Sequence, residues 1–264
     1  MFGWLRGLRT APAIPDPAWL ATLMRYPFLA DRPASDLDRL RRLAAEFLRD
    51  KEFHGVRGFV ITDEVALAIA AQAVLPVLHL KDALGWYDDF VGIVVHPAEA
   101  VAQRKTVDEA GVVHEYEEVI AGEAMDRGPV MLSWQDVLAG GVTRDEGYNV
   151  VIHEFAHKLD MRGGAADGCP PLPAGFAGTP SAREARAAWF AVLQPAFDAL
   201  REKTIVAERF GGEAPWLDAY GAESPSEFFA VACEAYFVNR AKLVIDFAEL
   251  TALFDEFFGP RPQD

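Results

Sequence analysis

The stretch NVVIHEFAHKLD, residues 149–160, is the part of this sequence that indicates most about its fold. It contains the pattern His-Glu-x-x-His, formed by His153, Glu154 and His157. Residues four apart lie on the same face of an α-helix, so both imidazoles can reach a single metal ion. The apolar residues between and around them predict that the helix is buried and holds the two histidines rigidly. The stretch therefore predicts a helix over 149–161 that carries a metal site.

The residue types of this pattern favour zinc, with one ion per chain. Zinc binds imidazole nitrogens well, and a site with an open fourth position lowers the pKa of a bound water to about 7. Because Glu154 follows His153 directly, its carboxylate can meet such a water without itself binding the metal. We therefore expect Glu154 to act as a general base in a hydrolytic reaction.

A catalytic zinc site needs a third protein ligand. Metzincin peptidases place a histidine six residues after the second one of the pattern, but Gly163 stands there, which excludes that class. Because no histidine follows His157, we expect a glutamate from a later helix. Ser224-Pro225 marks a helix start, which puts Glu227 in the first turn and Glu234 two turns further on.

The spacing alone leaves the identity of the third ligand open. Ser224-x-x-Glu227 is also the sequence of a capping box, in which the glutamate only reaches back to the helix N-terminus. Glu234 is the second candidate for the ligand, and its alternative role is to support another ligand or to lie in solvent. Glu223 precedes the helix and is the weakest of the three candidates.

Two other polar residues of the metal helix are candidates for supporting roles. Asp160 lies three residues past His157, where it can support that ligand or contact the end of the helix. Asn149 is placed to cap the helix, and a supporting role at the site is its second interpretation. Further upstream, Pro129–Ser133 is predicted to be a strand, which is either an ordinary sheet strand or an edge strand that pairs with an extended substrate.

The rest of the chain predicts an α+β protein, with a small mixed sheet packed by helices. Hydrophobic spacing predicts that Pro17 to about Glu52 is largely helical, with a cap at Ser35, and that Thr62 caps a buried helix ending near Pro76. Further helices are predicted over 181–202, 225–239 and 241–257, with a loop over 161–180. Strands are predicted at 59–61, 91–95 and 129–133, with a hairpin turn at 109–111.

The composition excludes several classes of protein. The formal net charge is −15, from 40 acidic and 25 basic residues, and such a surface repels nucleic acid. The two cysteines of the chain suggest reduced thiols in a cytosol. The longest apolar stretch, Val65–Leu80, is interrupted by Gln72 and Pro76, and the first residues lack the apolar core of a signal peptide. We predict a cytoplasmic protein that neither binds nucleic acid nor inserts stably into a membrane.

Several of these segments together resemble the Mlc titration factor A family of bacterial zinc peptidases. The shared features are the helix sequence at 149–161 and the segment from Tyr220 to a Ser-Pro-x-Glu-Phe-Phe-Ala-Val helix start. Upstream, the resemblance includes GVRG at 55–58, IAAQA at 69–73 and PVMLSWQ at 129–135. It runs from about Phe53 to Val238.

The resemblance implies a gluzincin related to the catalytic domain of anthrax lethal factor. It matches Glu227 to the third zinc ligand and Tyr220 to an active-site tyrosine that stabilises the oxyanion of the reaction. It also implies a zincin-like peptidase domain at 53–258, preceded by a helical segment at 1–52 and followed by a tail at 259–264. Members of the family are described as aminopeptidases and as binders of the glucose repressor Mlc. The expected partners are therefore a peptide or protein substrate and an Mlc-like repressor. The alternative function is that of a regulatory factor that binds other proteins and whose peptidase activity is secondary.

Overall fold

Helices make up most of the structure, a computed structural model that describes residues 13–98, 100–107, 113–120, 122–125, 127–142 and 146–259. The helices are α1 (Asp16–Arg25), α2 (Pro27–Ala30), α3 (Ala34–Asp50), α4 (Asp63–Ala73), α5 (Trp134–Ala139), α6 (Val150–Asp160), α7 (Ala182–Phe210), α8 (Pro225–Val238), α9 (Arg240–Asp246) and α10 (Ala248–Phe258). The strands are β1 (Glu52–Gly55), β2 (Gly92–His96), β3 (Ala100–Val107), β4 (Val113–Ile120), β5 (Gly122–Ala124) and β6 (Val130–Ser133). Within the described ranges, no helix is long and apolar enough to cross a membrane.

The principal sheet has the strand order β1-β2-β6-β5. Its first three strands run parallel, and β5 joins β6 antiparallel, with Gly122 opposite Leu132. This arrangement confirms the predicted small mixed sheet. Strands β3 and β4 pair antiparallel as a separate hairpin, and its predicted turn at 109–111 lies outside the described residues. Because β6 lies between β2 and β5, the interpretation of Pro129–Ser133 as an edge strand is wrong, and β5 is the outer strand on that side of the sheet.

The first strand, β1, begins at Glu52, seven residues before the strand predicted at 59–61. Residues 59–61 pair with no described strand, whereas Glu52–Gly55 pairs with β2. A tight turn separates the two segments, closed by a hydrogen bond of 3.0 Å from the Phe59 amide to the Val56 carbonyl. Arg57 and Gly58 both adopt positive φ there, at 53° and 79°. The β-branched composition of 59–61 therefore had less influence than pairing with the neighbouring strand.

Three helix boundaries also differ from the prediction. Helix α3 begins at Ala34 with Pro33 before it, so Ser35 lies inside the helix and is not its cap. Helix α7 extends beyond residue 202 to Phe210, where Gly211 with φ of 70° ends it. The helix predicted over 241–257 is two helices, because Phe247, with φ −136° and ψ 58°, interrupts the helical backbone. Helix α5 was not predicted from the sequence. The predicted cap of α4 is confirmed, because the Thr62 side chain accepts a hydrogen bond of 3.3 Å from the Val65 amide.

Helix α6, which carries the His-Glu-x-x-His pattern, packs against α4, α5, α8, β5 and β6. Its N-terminus is capped by Asn149, whose Oδ1 accepts a hydrogen bond of 2.9 Å from the Ile152 amide. On its apolar side, the Phe155 ring lies among Phe47, Tyr87 and Phe90, with centroid distances of 5.6, 5.0 and 5.9 Å. Neighbouring elements therefore hold the metal helix on several sides.

A buried lysine ties α6 to the turn that follows β5. Lys158 is fully buried, and its ammonium donates hydrogen bonds to the Met125 carbonyl at 2.5 Å and the Gly128 carbonyl at 2.9 Å. The same ammonium lies 4.6 Å from the centre of the Phe90 ring, a cation–π distance. A charge buried in this way is stable only when its donors are satisfied. Lys158 therefore fixes the outer strand relative to the residues of α6.

Candidate metal centre

Three side chains from two helices converge at one point. His153 and His157 come from α6, and Glu227 comes from the first turn of α8. The two Nε2 atoms are 3.2 Å apart, and Oε2 of Glu227 is 3.1 Å from each of them. Ser224 caps α8 by accepting a hydrogen bond of 3.2 Å from the Glu227 amide, which fixes the backbone of the helix's first turn. Among the described residues, this trio is the one group of three side chains positioned to hold a metal ion.

The distances within this trio fit a tetrahedral metal ion. Zinc–nitrogen bonds of about 2.0–2.1 Å at tetrahedral angles place neighbouring ligand atoms about 3.3–3.4 Å apart. The observed separations of 3.1–3.2 Å are close to that value. The three ligand atoms are therefore spaced as three ligands of a tetrahedral ion would be.

Hydrogen bonds on the far sides of the imidazoles hold both rings so that their Nε2 atoms are directed toward each other and toward Glu227. Nδ1 of His153 lies 2.7 Å from Oε1 of Glu234, a carboxylate that can only accept, so Nδ1 carries the proton. Nδ1 of His157 lies 3.2 Å from Oγ of Ser226, whose own proton goes to Asp160 at 2.8 Å. Burial opposes protonation of His153, but its hydrogen bonds with Glu227 and Glu234 raise its pKa well above the usual value, so without a metal ion its Nε2 also carries a proton, directed at Glu227. A metal ion bound between the three atoms would take the place of that proton, because an imidazole binds a metal through a deprotonated nitrogen.

The carboxylate of Glu227 is ionised, as a metal ligand must be. Burial raises its pKa, but hydrogen bonding with His153 and His157 outweighs burial and brings the pKa to about 2. The capping-box interpretation is therefore only partly confirmed. Ser224 is the cap, while Oε2 of Glu227 is directed at the imidazoles.

Glu154 lies beside the trio with part of its carboxylate unsatisfied. Its side chain is only 4% exposed, and its Oε2 has no hydrogen-bond partner among the described residues. Burial raises the pKa of Glu154 to about 7, although the neighbouring His153 and His157 oppose the shift. A buried acceptor atom without a partner is uncommon and suggests a place for a donor from outside the chain.

The outer strand β5 passes directly over Glu154. A side chain at Gly122 would place its Cβ 2.5 Å from Oε1 of Glu154 and 2.7 Å from its Cγ. Such distances are far below van der Waals contact, so only glycine leaves the carboxylate in its observed position. Gly122 is a site residue that the sequence analysis missed, because a single glycine in a short segment of mostly small residues gives no signal.

Tyr220 lies at the exposed rim of the site. It belongs to a 3-10 turn, Ala219–Ala222, whose start is fixed by a hydrogen bond of 2.9 Å from the Tyr220 amide to Asp218. Its ring centre is 5.9 Å from that of His153, and the residue is 40% exposed. The predicted tyrosine is therefore next to the trio and accessible from solvent.

The three predicted supporting residues all lie behind the trio. Glu234 contacts His153 directly, as described above, and its other oxygen accepts from the Asn149 amide. Asn149 also donates a hydrogen bond of 2.7 Å from Nδ2 to the buried Gln72. Asp160 reaches His157 through Ser226. The sequence analysis missed Ser226 and Gln72, since a serine beside a helix start and a lone glutamine in an apolar helix suit many other roles.

The comparison with known proteins identifies the family. The model of the family described as glucose-regulated metallo-peptidase M90 matches residues 4–259. The chain belongs to the M90 metallopeptidase family. It is therefore a metallopeptidase that acts on peptide bonds, and the resemblance noted in the sequence is confirmed.

Curated relatives match most of the chain. Mlc titration factor A of Edwardsiella ictaluri is 36% identical over 241 residues, which cover 89% of this chain and 85% of that protein. Its namesake in Escherichia fergusonii is 32% identical over 267 residues, covering 99% and 93%. The protein of that name in Serratia proteamaculans is 34% identical over 240 residues, covering 90% and 86%. Because these matches span nearly the full length, the likeness extends well beyond the metal helix.

Proposed function

We propose that this metallopeptidase uses one zinc ion held by His153, His157 and Glu227. The observation that carries the proposal is the convergence of three electron-pair donors at 3.1–3.2 Å beside a buried, unsatisfied carboxylate. Two nitrogen donors and one oxygen donor are a set that zinc prefers in catalytic sites. A structural zinc site would instead bring together four protein ligands, whereas the group within the described residues has three.

The chain's own residues have separate roles in the proposed reaction. When bound, zinc supplies a Lewis acid that lowers the pKa of water and polarises the scissile carbonyl. Glu154 accepts the proton of the attacking water through Oε2 and delivers it to the leaving amine. Tyr220 donates its hydroxyl hydrogen bond to the oxyanion that develops on the substrate. Glu234 orients His153 by accepting a hydrogen bond from its Nδ1, and the Asn149 amide in turn holds Glu234.

The outer strand β5 offers a binding surface for an extended substrate. On one side β5 is paired with β6, and no second partner strand is found among the described residues. An extended peptide can add to such an edge by main-chain hydrogen bonds. Since Gly122 of β5 touches Glu154, a peptide bound there would lie beside the general base. This assignment moves the substrate-pairing role from Pro129–Ser133 to β5.

Because the chain resembles the Mlc titration factor A family, whose members are described as aminopeptidases, we propose an aminopeptidase. The test is the zinc content of the purified protein together with its activity on amino-acid anilides and on N-blocked peptides. Cleavage restricted to substrates with a free amino group is the expected result. Cleavage of N-blocked peptides would overturn the aminopeptidase assignment, and a zinc-loaded protein that cleaves none of the panel would count against a general peptidase.

Gly122→Ala is expected to lower kcat by about 100-fold, because a displacement of the base by about 1 Å costs that much. The added Cβ would push the Glu154 carboxylate away from its position, while no metal ligand is touched. The measurement is kcat together with zinc content. Gly92→Ala is the matched control on the same sheet, where the added Cβ meets its nearest atom at an ordinary 3.4 Å. Equal activity of the two variants would contradict the proposed position of the base.

Repressor binding is the second candidate function, because several relatives are named Mlc titration factor A. We propose that an Mlc-like transcriptional repressor binds this chain independently of peptide hydrolysis. A pull-down of such a repressor with wild type and with Glu154→Gln tests this. Equal capture by both proteins is expected, and capture by neither would remove the candidate. A cytoplasmic location, a zincin-like fold and the division at residues 52 and 258 stay predictions consistent with these roles.

A further inference from the structure

Ser226 lies between the two helices that carry the metal centre. It lies in the first turn of α8, between the cap Ser224 and the ligand Glu227, and it is only 8% exposed. Its hydroxyl is not used to cap the helix, since Ser224 does that. Instead Oγ lies 3.2 Å from Nδ1 of His157 and 2.8 Å from Oδ2 of Asp160.

The hydrogen bonds of Asp160 decide which way the serine proton points. Its two oxygens already accept the Gly168 amide at 2.8 Å and the Cys169 amide at 2.9 Å. An ionised carboxylate can only accept, so the short contact with Ser226 is favourable only if the hydroxyl donates to Asp160. The hydroxyl oxygen then presents a lone pair to His157, and Nδ1 of His157 must carry the proton.

Asp160 itself is held in a fixed position. Gly168, with φ of 87°, packs so closely on α8 that a Cβ there would lie 2.5 Å from the Pro225 carbonyl oxygen. The Gly168 carbonyl in turn accepts a hydrogen bond of 2.8 Å from the indole of Trp189. The loop after α6 is therefore clamped between α7 and α8, and the acceptor behind Ser226 cannot easily turn away.

The two metal-site histidines are thus oriented by different groups. Glu234 accepts directly from His153 at 2.7 Å, whereas His157 meets a neutral hydroxyl whose orientation depends on a carboxylate one step further away. Removing Ser226 leaves Nδ1 of His157 without its acceptor. The imidazole can then place its proton on Nε2, the nitrogen that faces the metal site.

We propose that Ser226, oriented by Asp160, is a positioning residue that fixes the tautomer in which Nε2 of His157 is free to bind the metal. The proposal deepens the proposed function and rests on it in one respect, namely that His157 binds the ion through Nε2. It assigns no contact with the substrate to Ser226.

Ser226→Ala tests the proposal by two measurements. The zinc dissociation constant, from competition with a chelator, is expected to rise about 10–100-fold, the range typical for residues behind metal ligands. In the metal-free protein at alkaline pH, the ¹⁵N shifts of His157 should report protonation at Nδ1 in wild type and a mixture of tautomers in the variant. An unchanged dissociation constant, or a wild-type His157 protonated at Nε2, would overturn the proposal.

Two further variants separate the hydroxyl from general effects. Ser226→Thr keeps the hydroxyl and should bind zinc within about threefold of wild type, well inside the loss expected from removing such a residue. Zinc binding as weak as in Ser226→Ala would show that side-chain volume matters and would refute the role of the hydroxyl. Ser181→Ala removes a serine that caps α7 and is expected to lower the unfolding midpoint without changing zinc affinity. Should wild type bind no zinc, the proposed function fails, and the tautomer measurement still decides the role of Ser226.

Discussion

Glu154→Gln should lower kcat by at least about 100-fold and as much as about 10,000-fold, the range that general acid–base catalysis contributes. The amide has the same shape as the carboxylate but cannot accept and return a proton. Because Glu154 is buried beside the trio and is not part of it, zinc should remain bound. The measurement is kcat on the best substrate of the panel, with zinc content determined on the same sample.

The control for this variant is Glu202→Gln, which makes the same chemical change at an exposed position of α7. It should leave both kcat and zinc content at the wild-type values. Hydrolysis that persists in Glu154→Gln at full zinc content would exclude Glu154 as the base. A parallel loss of zinc and activity would instead mean that Glu154 supports the ion, which would contradict its separation from the trio.

The metal helix could be predicted from sequence because every local signal agreed. Asn149 gives a cap, His153 and His157 have helical spacing, and the surrounding apolar residues require burial. The start of α8 was similarly clear, since Ser224-Pro225 favours one conformation. Where the spacing of Glu227 suited both a cap and a ligand, sequence alone could not choose, because the choice depends on how α8 packs against α6.

The features that sequence reasoning missed depend on tertiary contacts. Residues 59–61 have strand composition, yet Glu52–Gly55 pairs with β2 because the chain turns at Arg57 and Gly58. Strand β5 has only three residues, too few for any alternation to be recognised. Ser226 and Gln72 acquire their roles from partners 66 or more residues away in the chain, which no local pattern can indicate.

Glu227→Gln should raise the zinc dissociation constant by about 100–1,000-fold. Protein zinc sites bind the ion with a free energy of about 10–16 kcal/mol, which is roughly 2.5–4 kcal/mol for each of four ligands. Losing one ligand therefore corresponds to that change in the dissociation constant. The cap by Ser224 involves only the backbone of residue 227, so the helix start should survive the change. Affinity is measured by chelator competition, and circular dichroism reports the helix content.

The same substitution at two other glutamates should cause smaller losses of zinc affinity than Glu227→Gln. Glu234→Gln should weaken zinc binding less, by about 10–100-fold, since Glu234 acts on the metal only through Nδ1 of His153. Glu223→Gln, at an exposed position just before α8, should leave the affinity unchanged. If Glu234→Gln weakened zinc binding more than Glu227→Gln, the assignment of the third ligand would be reversed. The order of the three losses therefore decides between the interpretations that spacing left open, because only a direct ligand loses a metal bond.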